Sequence, residues 1–273
     1  MVSIRQIRRA FDDEHLEEGV KVLVYTVALD FGAVPYHQWM AMMFISSLQR
    51  SGYTGDIALL TNSESEPFPN GRVGVEQIRI DVASAPYSAK YLAAAVLPTG
   101  YDWVIFFDSD CLVLRSPEAM LRPEADVIFA EEPWGKITDP VNNAYLTESE
   151  MRECGQTAIN SGVFAVRGDR FREFSCEWAK GDSLAPLRYK LCYDQPAFVR
   201  VLLDWKERCK PLGEEWKVHY PECQGMRIQD FLRGGALHFC GVGTREKLNR
   251  MLGFYMMLHG ESAMPFIAEQ LKG

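Results

Sequence analysis

The run Trp103-Val104-Ile105-Phe106-Phe107 passes without a break into Asp108-Ser109-Asp110 and then into Cys111-Leu112-Val113-Leu114. Consecutive apolar residues of aromatic and β-branched type read as a strand buried on both faces, which requires helices packed above and below it. This strand ends in acid. In open α/β sheets the ligand crevice lies outside the carboxyl ends of the strands, so the aspartates stand where a functional carboxylate is expected. Two carboxylates one residue apart can reach a single hard divalent cation and leave positions open for phosphate oxygens. Asp-x-Asp by itself is also the pattern of a solvated turn, and its apolar flanks are what favour the metal reading.

The surrounding pattern supports an α/β fold with a Rossmann-like, mostly parallel central sheet flanked by helices. Strands are expected at Lys21–Val27, Asp56–Thr61, Gly74–Ile80, Asp126–Ala130, Gly162–Val166, Trp216–His219 and Ala236–Phe239. Helices are expected at Pro35–Arg50, Tyr87–Leu97, Arg170–Ala179, Asp194–Trp205 and Thr244–Leu258. The polar stretch Glu131–Thr157 reads as a lid or substrate loop, because a structureless connection of that length in a compact domain usually serves a ligand. Residues 1–20 read as a polar leader. Residues 21–273 read as one domain, divided at about residue 115 and closed by a C-terminal helix over 261–273.

Composition narrows the partners. The formal charge of −8, from 29 basic and 37 acidic residues, argues against a nucleic-acid backbone or an anionic membrane as the main partner. Seven cysteines without a Cys-x-x-Cys motif cannot all pair within one chain and read as reduced thiols. The start lacks the apolar core of a signal peptide, and no apolar run reaches membrane-spanning length. A cytoplasmic protein is the expectation.

The segment VIFFDSDCLVL resembles the hallmark of retaining glycosyltransferases of the glycogenin and bacterial galactosyltransferase type, the family 8-like group with the fold called GT-A. Further landmarks follow in that group's order. Ile159-Asn160-Ser161-Gly162-Val163-Phe164 is similar to its Asn-Ser-Gly segment opening a strand, Asp194-Gln195 to its Asp-Gln helix start, and His238-Phe239-Cys240-Gly241 to its late His-x-x-Gly. The resemblance spans residues 21 to 247. It implies a GT-A fold with an acceptor-side extension, residues 21–115 binding the nucleotide and 116–260 the acceptor. The implied activity is transfer of a hexose from a nucleotide-sugar donor, UDP-sugar first, to a glycan or other hydroxyl acceptor with retention at the anomeric carbon.

The same resemblance implies roles for single residues. Asp110 and His238 would ligate the cation, with Asp108 shared between the metal and the donor. A carboxylate and imidazole shell suits Mn²⁺ first and Mg²⁺ second. Tyr25 and Thr26 would hold the nucleobase, and Lys90, Ser109, Asn160, Ser161 and Gly241 would line the donor site. Asp194 or Gln195 would stabilise an oxocarbenium-like transition state. The group's lysine and Pro-Trp after His-x-x-Gly are replaced by Gly243-Thr244-Arg245-Glu246-Lys247, and Arg245 or Lys247 could supply the missing charge to the diphosphate near a helix amino terminus.

Other classes share parts of this pattern. Haloacid-dehalogenase-like phosphatases also place Asp-x-Asp after an apolar strand, and Leu59-Leu60-Thr61-Asn62 looks like their second motif, but there the order of the two is reversed. Nucleotidyltransferases need a basic, glycine-rich loop after the first strand, where this chain has Ala28-Leu29-Asp30-Phe31-Gly32. A non-catalytic carbohydrate-binding protein would be favoured by a lost metal ligand. The remaining histidines, His15, His37, His219 and His259, read as surface or core groups.

Overall fold

The computed structural model describes residues 19–63, 74–81, 88–136, 146–153, 157–183, 194–213, 216 and 234–260. Strands β1 (Val22–Ala28), β2 (Asp56–Thr61), β3 (Val75–Arg79), β4 (Trp103–Phe107), β6 (Val127–Lys136), β7 (Thr157–Arg167) and β8 (Cys209–Pro211) form one sheet in the order β3-β2-β1-β4-β7-β6-β8. Pairing is parallel from β3 to β4 and between β6 and β8, and antiparallel on both sides of β7. A second, two-stranded ladder joins β5 (Cys111–Val113) to β9 (Ala236–His238).

Both faces of the sheet are covered. Along β1, Val22, Val24 and Ala28 pack on one side with helices α1 (Tyr36–Arg50) and α6 (Thr244–His259). Leu23 and Tyr25 pack on the other side with α2 (Ala89–Leu92), α4 (Phe171–Ser183) and α5 (Gln195–Asp204). This two-sided burial is why the central strands are continuous apolar runs rather than alternating ones. Among the described residues no helix is long and apolar enough to cross a membrane.

Phe164 is the hub of the second face. Its ring centroid lies 5.1 Å from Phe106, 5.3 Å from Phe198 and 5.5 Å from Trp178. On the first face, Ser46 Oγ and Tyr255 Oη share a buried 2.6 Å hydrogen bond that ties α1 to α6.

The structure departs from the sequence expectation in four places. The helix expected over 87–97 is, in its described part, one α-turn followed by a 3-10 turn at Ala93–Ala95; of its described apolar residues Ala89, Tyr91, Ala93 and Leu97 are buried. The polar stretch from Glu131 is not a free loop throughout. β6 continues through it to Lys136 because β7 starts early and pairs Ile159 with Glu131 and Ala158 with Glu132, and backbone pairing tolerates half-exposed polar side chains. Glu148–Glu153 then forms α3. Finally, the edge strand β8 follows α5 where no strand was expected. The strand expected at 216–219, apart from Trp216, and the helix expected at 261–273 lie outside the described residues, as do residues 1–18.

Truncating Phe164 to Ala should remove the centre of the aromatic layer and cost about 3–5 kcal/mol of stability. Urea unfolding followed by tryptophan fluorescence measures this as a lowered midpoint with an unchanged slope.

Candidate active site

Six segments converge at the carboxyl edge of the sheet, four of them carrying the core of the site and the starts of α5 and α6 completing it. The first is the turn after β4: the Asp108 carbonyl accepts a hydrogen bond from Cys111 N at 3.1 Å, turning the chain from β4 into β5. The second is β9, which sets His238 directly opposite Cys111 and is tied in further by Phe239 N donating to the Asp110 carbonyl at 3.0 Å. His238 Nε2 consequently lies 3.1 Å from Asp110 Oδ1 and 3.5 Å from Asp108 Oδ2.

The third segment is the middle of β7. Phe129 of β6 faces Phe164, but the next residue, Ala130, faces Asn160 where an unbroken ladder would bring Val163. Ser161, Gly162 and Val163 are thus bulged away from β6 while β4 still pairs with Val163. Gly162 O accepts from Asp108 N at 2.8 Å, and Gly162 N donates to Asn160 Oδ1 at 2.7 Å. A Cβ at Gly162 would sit 2.4 Å from His238 Cε1 and 2.6 Å from Asp108 Oδ2. Only glycine leaves room for these two groups to approach each other.

The fourth segment supplies Lys90, whose buried ammonium lies 3.1 Å from Asp108 Oδ1 and 2.8 Å from Asp194 Oδ2. Ser161 Oγ donates to the same Asp194 oxygen at 2.8 Å. Asp194 stands at the amino end of α5, yet its carboxylate makes no capping bond to the helix and is given to the lysine and serine instead. Tyr25 Oη donates to the Lys90 carbonyl at 2.8 Å and fixes the backbone beneath it. From the first turns of α6, Lys247 Nζ reaches Asp110 Oδ2 at 2.6 Å.

Burial and charge oppose each other here. Burial raises the carboxyl of Asp110, but His238 and Lys247 beside it outweigh that and hold it far below the ordinary carboxylate range. Asp108 goes the other way: burial lifts it, Lys90 and His238 pull it down, Asp110 and Asp194 push it up, and the net shift is upward. Burial alone would lower Lys90, and its two carboxylate partners reverse that. Lys247 is raised by Asp110 against the same penalty.

These groups lie in or directly beneath a cleft of about 390 Å³ lined by Val27, Leu29, Phe31, His37, Lys90, Asp108, Ser109, Asp110, Val242, Gly243, Thr244 and Lys247. The ligand atoms of Asp110, Cys111 and His238 lie within 4.8 Å of one another, a spacing one metal ion can bridge. Cys111 is the weakest member of that group. Its side chain packs in the core, and burial, reinforced by Asp110 and Asp108, keeps the thiol protonated. Asp108 stands outside that group but brings an oxygen to 3.5 Å from the same imidazole, which makes it the further candidate ligand for a hard cation.

The site expectations divide accordingly. Asp108, Asp110, His238, Lys90, Ser161, Asp194 and Lys247 form one connected network, and Ser109 lines the cleft. Asn160 is buried and braces the Gly162 backbone, in mid-strand rather than at a strand start. Gln195 is buried at the start of α5, and neither it nor Asp194 lines the cleft. Gly241 has a left-handed φ of 85° and turns the chain from β9 toward the cleft-lining Val242 and Gly243. Arg245 is exposed, leaving Lys247 as the inward-facing charge.

Tyr25 and Thr26 need correction as base-binding residues. Both are fully buried, and Tyr25 is packed among Phe106, Phe164 and Phe171. The side chains that meet the cleft are one to five residues beyond Thr26, at Val27, Leu29 and Phe31, together with His37. An aspartate just past the first strand, Asp30, was the available signal: its oxygens accept from His37 N at 2.9 Å and Gln38 N at 3.1 Å and so anchor the start of α1.

The sequence matches no protein-family model and no curated protein. Its fold matches solved glycosyltransferases. The galactosyltransferase LgtC, solved with donor and acceptor sugar analogues, aligns over 85% of this chain and 95% of its own, with 13% identity and a TM-score of 0.56. A glycosyltransferase involved in glycosylation of the major capsid of PBCV-1 aligns over 85% and 99%, with 16% identity and a TM-score of 0.55. The bifunctional glycosyltransferase WbbM aligns over 89% of this chain, which spans half of that protein, with 14% identity and a TM-score of 0.57. The fold is therefore GT-A: a mostly parallel central sheet flanked by helices, as expected from the sequence.

Two substitutions test this geometry. Gly162→Ala should cost about 1–3 kcal/mol through the forced separation of Asp108 and His238, read as a lowered melting temperature. Lys90→Met should cost about 3–5 kcal/mol, chiefly by stranding the buried carboxylate of Asp194 beside the half-buried Asp108. In an Asp194→Asn background the same change should cost less, and a double-mutant cycle measures the difference.

Proposed function

We propose that this chain is a metal-dependent glycosyltransferase that moves a hexose from a nucleoside-diphosphate sugar, UDP-sugar first, to a hydroxyl of a glycan or other acceptor with retention at the anomeric carbon. The observation that carries this reading is the meeting of Asp108, Asp110 and His238 with two lysines, Lys90 and Lys247, at one cleft of a GT-A sheet. Carboxylates alone would suit many cations. Carboxylates interleaved with ammonium groups suit a cation that arrives with a diphosphate.

In this reading Asp110 and His238 hold Mn²⁺, or Mg²⁺ as second choice, and Asp108 is shared between the metal and the donor. When bound, the ion supplies neutralisation of the charge that builds on the leaving diphosphate. Lys247 adds a point charge for the phosphates, and the amino end of α6 directs backbone N–H groups the same way. Lys90, oriented by Asp194 and Ser161, contacts the donor beside Asp108. Asp194 sets the lysine's position, and Asp194 or Gln195, both beneath the cleft wall, stabilises an oxocarbenium-like transition state from there. Residues 21–115 make the nucleotide-binding half, and 116–260 make the acceptor-binding half and bring the metal histidine and Lys247 to the donor. Cys111, Cys176, Cys209 and Cys240 are free thiols, which supports a cytoplasmic site of action.

A thermal-shift screen of nucleotides with and without Mn²⁺ tests this, since a ligand of the folded state raises its stability. UDP with Mn²⁺ is expected to raise the melting temperature, and Asp110→Ala or His238→Ala to abolish the metal-dependent part. Absence of a shift with every UDP and GDP species in the presence of metal would sink the proposal. Retention is read from the anomeric proton coupling of the product.

A further inference from the structure

Each acid of the Asp-x-Asp turn already faces an ammonium. Asp108 Oδ1 lies 3.1 Å from Lys90 Nζ, and Asp110 Oδ2 lies 2.6 Å from Lys247 Nζ. The two lysines are held very differently. Lys90 is 9% exposed at its side chain and is gripped by Asp108, Asp194 and Ser161 together. Lys247 is 24% exposed, lines the open cleft and, among the described residues, forms its ion pair with Asp110 alone. Its N–H donates to the Gly243 carbonyl at 2.9 Å in the first turn of α6, so a flexible four-carbon stem carries the ammonium from a fixed base.

Lys247 and a cation need the same acid. Asp110 Oδ1 lies 3.1 Å from His238 Nε2, and its other oxygen is the one the ammonium takes. A divalent ion drawn to Asp110 therefore stands beside a positive charge, in surroundings where like charges are poorly screened. The charge balance points the same way. Asp108, Asp110 and Asp194 are matched almost to neutrality by Lys90 and Lys247. A bare divalent ion added to this set leaves a surplus of buried positive charge, whereas an ion carrying a diphosphate brings negative charge with it. The diphosphate also gives a displaced ammonium a new partner.

We infer that Lys247 is a stand-in for the cation: it holds Asp110 until a divalent ion arrives with a diphosphate, then passes to the phosphates and leaves the acid to the ion. The inference rests on the metal and nucleotide reading above and adds a rule of entry to it. The cleft takes metal poorly by itself and well with a nucleotide. A metal that touches the diphosphate couples the two ligands without help; Lys247 adds to that coupling, and its share is lost when the ammonium is removed.

The test titrates the full chain with Mn²⁺ alone, followed by loss of the free-ion signal in electron paramagnetic resonance, and then with UDP at saturating Mn²⁺ by calorimetry. Lys247→Met should bind Mn²⁺ alone about tenfold more tightly than the wild type and UDP with Mn²⁺ about tenfold more weakly. Opposite directions are the signature, because a residue that only supported the fold would weaken both. Without metal Lys247→Met should also melt below the wild type, and Mn²⁺ alone should raise its melting temperature by more than it raises that of the wild type. Circular dichroism confirms folding, and Lys247→Gln replaces Lys247→Met if the latter does not fold. Affinity for Mn²⁺ alone that is unchanged or weakened in the variant, with UDP binding by the wild type intact, would overturn the inference and leave the nucleotide reading standing. Absence of UDP binding by the wild type at saturating Mn²⁺ would overturn both.

Discussion

The ammonium of Lys90, held between Asp108 and Asp194, is the interaction on which the carboxyl edge of this sheet depends. Its side chain is almost fully enclosed, and it lies 5.3 Å from the centre of the Phe106 ring. A charge in such surroundings persists only when paired and hydrogen-bonded, and so do its partners. Three carboxylates crowd into a space with little water, and Lys90, Lys247 and His238 are distributed among them so that no acid stands alone. The aromatic layer around Phe164 lies beneath the lysine, and the Tyr25 hydroxyl holds the lysine's backbone in place. Packing and electrostatics are therefore one structure at this point.

Much of this was legible in the sequence because it is local. Trp103–Phe107 could only be a doubly buried strand, and the aspartates had to follow at its end. The order of Asn160, Asp194 and His238 along the chain placed the remaining members of the network. What could not be read was decided by contacts between distant segments. The burial of Tyr25 depends on which face of β1 meets the aromatic residues of α4 and α5, and both faces of that strand are apolar. The extension of β6 through Glu131 and Glu132 depends on an early start of β7, which no period in β6 announces. That His37 lines the cleft could not be read either, because it depends on Asp30 in the preceding loop and on an opposite wall formed by Val242 to Thr244.

The bulge in β7 shows how a regular sheet accommodates an irregular task. One side of the strand keeps register with β4 through Val163 and so holds the core together. The other side slips relative to β6, and the released residues carry the serine hydroxyl and the bare backbone that the charged cluster needs. Bulges are a common means of re-aiming side chains beside functional sites. Here the bulge also delivers an absence, the missing side chain of Gly162, into the gap between an imidazole and a carboxylate.

The short β5–β9 ladder has a consequence for how the protein comes into being. Asp110 and its lysine partner are separated by 137 positions in the chain. During synthesis from the amino terminus, the acid emerges well before either His238 or Lys247 exists to neutralise it. A buried, unpaired carboxylate is costly, so this part of the sheet edge stays hydrated until β9 and the helix after it dock. The cleft's charge balance thus closes late: a chain cut short before β9 retains all seven described strands of the main sheet but lacks both partners of Asp110.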